Sequence, residues 1–163
     1  FRSDRLSWAL GKLFGQASLM ALGVLLGALT CFATGALWLD DMPLGTTAVW
    51  LLRIAGRITV YSFAYLGLVI CASQLARASA RALGLALSMF FFCVLAGNLV
   101  RAEAIRQRSP ALFGALAKLL PNGHHLALWH PGVIESGSAM VALVAIGSLF
   151  FALGFWRFAR RDA

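Results

Sequence analysis

Residues 136–156 read SGSAMVALVAIGSLFFALGFW, twenty-one positions without a charge, and the run ends on Arg157 with Arg160 and Arg161 close behind. A water-soluble helix needs a polar face, and this stretch has none. It is long enough to cross a hydrocarbon layer of ~30 Å, which takes about 20 helical residues. The stretch therefore predicts a membrane-crossing helix that ends at a basic boundary. Three more uncharged runs follow the same rule: Leu13–Leu39 with 27 residues, Ile58–Ala76 with 19 and Ala82–Val100 with 19. Inside lipid only helices or closed barrels satisfy the backbone, and none of the runs shows the alternation of a barrel strand. The expected fold is all-α, a polytopic membrane protein with four transmembrane helices in a single domain over residues 1–163.

Composition agrees with this reading. The 163 residues are 61% hydrophobic and 12% charged, with a mean hydropathy of +0.83, against about 25% charged in ordinary globular domains. The net charge of +8 comes from residues at the ends of apolar runs. No basic face interleaved with aromatics appears, so nucleic acid is not an expected partner. Cys31, Cys71 and Cys93 fall in three different runs without a C-x-x-C pair and read as small apolar packers. Phe1 is not an initiator methionine and FRSDRLSW has no signal-peptide pattern, so the chain is expected to be an excerpt or a processed product.

Four spans place both termini on one side. That side would hold Arg2, Arg5, Lys12, Arg77, Arg81, Arg157, Arg160 and Arg161, eight basic residues against six (Arg53, Arg57, Arg101, Arg106, Arg108 and Lys118) on the other. The surplus favours cytoplasmic termini in a cell inner membrane. Asp40, Asp41, Glu103 and Glu135 all fall on the opposite side. Gly23, Gly27, Cys31 and Gly35 recur every four residues along the first span, a small-residue stripe suited to close helix–helix approach.

The connections carry most of the polar chemistry. LDDMPLGTT, residues 39–47, is a turn with Pro43 and Gly45 as breakers and Thr46 or Thr47 as the N-cap of the next helix. Arg53 and Arg57 then lie one helical turn apart at the entry to the second span. Either they snorkel to the headgroups or they line a polar substrate path. SQLARASARA is a tight turn, which makes the second and third spans antiparallel neighbours. In the connection Arg101–Glu135, Ser109-Pro110 reads as an N-cap followed by proline at the first helical position. A helix from Pro110 to Leu120 would bury Leu112, Phe113, Leu116 and Leu120 and stop at Pro121. NGHHLALWHPG would form another short helix, broken by Pro131 and Gly132. Two apolar helices too short to span, over residues 109–131, predict a re-entrant or interfacial hairpin, with Trp129 at headgroup depth.

His124, His125 and His130 are the only histidines. They could hold a metal, or sit as interfacial polar residues; His124 and His125 would point in different directions on a helix, and no carboxylate or thiol ligand stands beside them. No G-x-x-x-x-G-K-S/T motif occurs, so a nucleotide would have to be hydrolysed by a partner.

Taken together, YSFAYLGLVICASQLARASARALGLALSMFFFCVLAG (residues 61–97), the tail Trp156-Arg157-Phe158-Ala159-Arg160-Arg161-Asp162 and the opening RSDRLSWALGKLFG resemble the permease subunits of second-type ATP-binding-cassette export transporters. The resemblance covers the carboxyl-terminal four of that family's six spans. It implies two short re-entrant helices outside the membrane before the last span, and a permease with no catalytic residue, cofactor or metal of its own. It further implies a second permease subunit, most simply in a homodimer, and a cytoplasmic ATPase subunit that binds ATP and approaches Arg2, Asp4 and Arg5. Two other readings fit the composition: a non-transporting membrane anchor of a larger complex, and a redox subunit holding haem or metal through the histidines.

Overall fold

The computed structural model describes residues 2–41, 43–76, 79–101, 107, 110–129 and 132–160, with side chains undescribed at 2–6, 79, 100, 101, 110 and 133. Four long helices account for most of them: α1 (Arg2–Trp38), α2 (Leu44–Leu75), α3 (Ser79–Arg101) and α6 (Val133–Arg160). Each contains an 18-residue window of mean hydropathy between 1.6 and 2.2 and is long enough to cross a bilayer. Between α3 and α6 lie α4 (Pro110–Leu119), a 3-10 turn (Pro121–His124) and the single turn α5 (His125–Leu128). No strand occurs among the described residues. The chain is a helical, multi-pass membrane protein.

Lipid offers no hydrogen bonds, and four hydroxyls on the spans bond within their own helix. Thr30 donates to the Leu26 carbonyl, Thr34 to Thr30 and Thr59 to Ala55, each at 2.8 Å, and Ser73 donates to Ile70 at 2.7 Å. This back-bonding lets a polar residue ride in an apolar helix without a partner elsewhere.

The chain forms two compact units, residues 1–62 and 63–163, with α2 contributing to both. In the first unit α1 runs well beyond the expected span, beginning at Arg2. Ala9 and Leu13 are buried, yet the most apolar window of α1 buries none of its residues. Leu25, Ala28, Leu29 and Phe32 of α1 share an apolar cavity of about 150 Å³ with Ala48, Leu51 and Leu52 of α2. α2 starts a turn earlier than expected. The Pro43 carbonyl accepts from the Thr47 N–H at 3.0 Å and from the Thr46 hydroxyl at 3.1 Å, so neither threonine is the N-cap. Proline's fixed φ already favours helical entry there.

The second unit is organised by a crossing of α2 and α6. A Cβ placed on Gly67 would collide with the backbone of Gly147, and one on Gly147 would lie 2.9 Å from the Phe63 carbonyl oxygen. One on Gly154 would lie 2.8 Å from Cys71 Cα. Only glycine fits at these points. As the contacts step from Phe63 and Gly67 to Cys71 on α2, they step from Gly147 to Gly154 on α6, so the two helices run parallel. Around the crossing Ala64, Leu68, Ala72 and Leu143 are fully buried. Tyr65 packs on Phe90 with ring centroids 5.1 Å apart. Tyr65 precedes the end of α2 by ten residues and Phe90 follows the start of α3 by eleven, which makes α3 the expected antiparallel neighbour.

The close contact thus falls on α2 and α6, while the stripe on α1 is open over its first three positions: Gly23 and Gly27 have nothing within 4 Å of an added Cβ, and Cys31 is exposed. The prediction is a sharp contrast between two glycines. Gly67→Val should destabilise the chain by about 3 kcal/mol or more, beyond ordinary overpacking because the obstacle is backbone, and Gly27→Val by under about 0.5 kcal/mol, as for an open surface position. Unfolding in mixed micelles against denaturing detergent measures both. Equal losses at the two positions would contradict the assigned crossing.

Candidate functional site

The expected hairpin region folds around its proline. Leu120 takes φ −98° and ψ 132°, as the residue before proline must when its helical region is blocked, and this ends α4 at Leu119. Pro121 opens the 3-10 turn, closed by Gly123 N–H donating to the Leu120 carbonyl at 2.9 Å. Gly123 packs so closely on the Ala117 carbonyl that a Cβ would not fit. The turn returns the chain against α3 and α6, and Pro121 and Leu128 are fully buried. Leu112 and Leu116, expected to be buried, are instead exposed. α4 is apolar on every face except at Lys118, so periodicity could not say which of its leucines would find protein.

What seats the turn is polar. Asn122 is buried, and its Nδ2 donates to the Asn98 Oδ1 at 3.0 Å and to the Val94 carbonyl at 3.3 Å. Gly97 makes room: a Cβ there would lie 2.6 Å from Asn122 Cβ. Asn98 and Asn122 are the only asparagines in the chain, and they meet. Their scarcity in so apolar a sequence is the signal that could have drawn attention to them.

The histidines take separate partners. His124 Nε2 lies 3.0 Å from the Lys118 carbonyl, a contact that requires the proton on Nε2. The His125 ring meets Trp129 edge-on with centroids 6.3 Å apart. His130, Pro131 and Ser109 fall outside the described residues. Among the described residues no three His, Cys, Asp or Glu side chains gather as a metal site.

Arg53 is exposed and Arg57 half-buried, on successive turns of one continuous α2. Arg57 precedes the end of α2 by eighteen residues, about 27 Å at 1.5 Å per residue. With Leu75 at one edge of a ~30 Å core, Arg57 comes within about 3 Å of the other edge and Arg53 passes it. That geometry fits snorkelling to headgroups more readily than a path through the bilayer centre. The backbone of Arg2, Asp4 and Arg5 lies in the first turn of α1, and their side chains are outside the described residues. At the far end of α1, Trp38, Asp40 and Asp41 line an open crevice of about 770 Å³ with Cys31 and Thr47. No family model matches the chain, and no curated protein matches it.

The asparagine pair makes a quantitative prediction. Asn122→Ala and Asn98→Ala should each cost about 1 kcal/mol of stability, the usual scale for polar contacts between membrane helices. The double variant should lose less than the two single losses added together. Unfolding titrations of the four proteins form the cycle, and strictly additive losses would separate the residues.

Proposed function

We propose that the chain is the membrane-spanning part of an ATP-binding-cassette export permease, forming a translocation path that a separate ATPase subunit drives. The observation that carries this reading is the arrangement of the second unit. Two parallel spans lock at glycines, an antiparallel span lies beside them, and short helices before the last span pack back onto the spans. Paired central spans and short helices before the last span are the features the resembling family implies. The four spans and the motifs quoted from residues 2–15, 61–97 and 156–162 supply the rest of the support. In this reading α4, the 3-10 turn and α5 form the outer re-entrant hairpin, and the termini are cytoplasmic.

The exposed small-residue face of α1, with Gly23 and Gly27 open, suits pairing with a second copy of the permease. ATP binds the partner ATPase, whose closure rocks the helices between two states of access. Arg2, Asp4 and Arg5 stand nearest that partner, and Arg53 and Arg57 at the outer mouth of the path.

Two measurements test this. Gentle detergent extraction of the native complex should bring down a P-loop ATPase with the chain; its consistent absence would remove the transporter reading and leave a membrane anchor. Arg53→Ala with Arg57→Ala should lower transport at least severalfold with insertion unchanged if the arginines line the mouth. Unchanged transport would return them to the headgroups.

A further inference from the structure

The end of α6 presents a second, unrelated feature. One face of this helix is enclosed: Ala139, Leu143, Gly147 and Gly154 are buried, the last two against Phe63 and Cys71 of α2. The opposite face carries Val141, Leu149, Leu153 and Trp156, all exposed, at the spacing of one helical stripe. In a bilayer that stripe faces acyl chains. Arg160 continues it four residues beyond Trp156, and its guanidinium carbon lies 4.1 Å from the centre of the Trp156 ring. The aromatic sits where an interfacial tryptophan sits, and the cation stacked on it occupies the next level out. Stacking uses the guanidinium face and leaves its N–H edge for an anion.

The surroundings are positive. Because α6 runs parallel to α2 and α3 antiparallel to it, the start of α3 lies at the same end of the unit as the finish of α6. Arg81, Arg157 and Arg160 are therefore gathered at that end, all exposed. Among the described residues of 63–163 the one acid is Glu135, in the first turn of α6 at the other end. The same pairing of tryptophan with a cation four residues on recurs at Trp8 and Lys12 of α1, at 5.3 Å.

We propose that the Trp156–Arg160 stack, with Arg157 on the same helix and Arg81 at the same end of the unit, is a binding site for the phosphate of an anionic phospholipid headgroup. The lipid's acyl chains lie along Leu149 and Leu153 while the guanidinium edge holds its phosphate. A lipid is favoured over an acidic protein because Arg160 stands on the acyl-facing stripe of α6, directly beyond Trp156. The site does not depend on what, if anything, the helices transport.

Native mass spectrometry of the detergent-solubilised full chain, offered equimolar phosphatidylglycerol and phosphatidylcholine of identical acyl chains, tests the site. The wild type should retain phosphatidylglycerol over phosphatidylcholine by about 25-fold, roughly fivefold for each of Arg157 and Arg160. Arg160→Gln should reduce that preference about fivefold, the effect of one basic residue near an anionic surface, and Arg157→Gln with Arg160→Gln should bring it to parity. Circular dichroism and size-exclusion profiles matching wild type confirm that the variants remain folded; Arg160→Lys, which keeps the charge and loses the planar stack, gives an intermediate ratio and serves if the glutamine variant does not fold. Equal retention of both lipids by the wild type would overturn the proposal. So would an unchanged ratio in Arg160→Gln, and an unchanged ratio accompanied by loss of a co-purifying protein would assign the surface to that protein instead.

Discussion

Backbone against backbone is the contact on which the second unit depends. At Gly67 and Gly147 two helices approach until no side chain fits between them, and the fully buried positions Ala64, Leu68, Ala72 and Leu143 cluster around that point. In water such packing would be driven by removing apolar surface from solvent. In lipid that drive is absent, because the acyl chains are as apolar as leucine, and close van der Waals fit takes its place. The glycines matter because they permit the fit. A larger residue would push α6 outward and loosen everything packed around the crossing.

Where lipid removes one driving force it sharpens another. A polar group with no partner costs several kcal/mol in hydrocarbon, so a polar side chain on a span gains by bonding to its own helix or by meeting another polar group. The threonines and Ser73 take the first course. Asn98 and Asn122 take the second, and by doing so fix where the 3-10 turn meets α3. Polar residues here supply position, and small residues supply proximity.

The four spans were legible because their signal is one-dimensional: length between charges decides whether a segment can cross. Pro110 and Pro121 likewise marked the ends of α4, since proline acts on its own neighbours. What could not be read was which face of each helix meets protein. In a soluble helix polarity marks the outside, but α1 and α6 are apolar all round, so Gly23 and Gly147 look equivalent in sequence. The former is open and the latter enclosed. The expected burial of Leu112 and Leu116 failed for the same reason, and the asparagine pair escaped notice because its members lie 24 residues apart and meet only through the fold. Thr46 and Thr47 are reasonable caps by residue type, yet α2 begins at Leu44 and both threonines donate to the Pro43 carbonyl.

The parallel arrangement of α2 and α6 also bears on the order of events during synthesis. Eighty residues separate Gly67 from Gly147, so the groove that receives α6 is made long before its occupant. At translation rates of roughly 5–20 residues per second, α2 and α3 spend seconds in the bilayer with that groove lined only by lipid. When α6 is made it must displace those lipids to seat itself, so the glycine crossing forms only after α2 and α3 have already been inserted side by side.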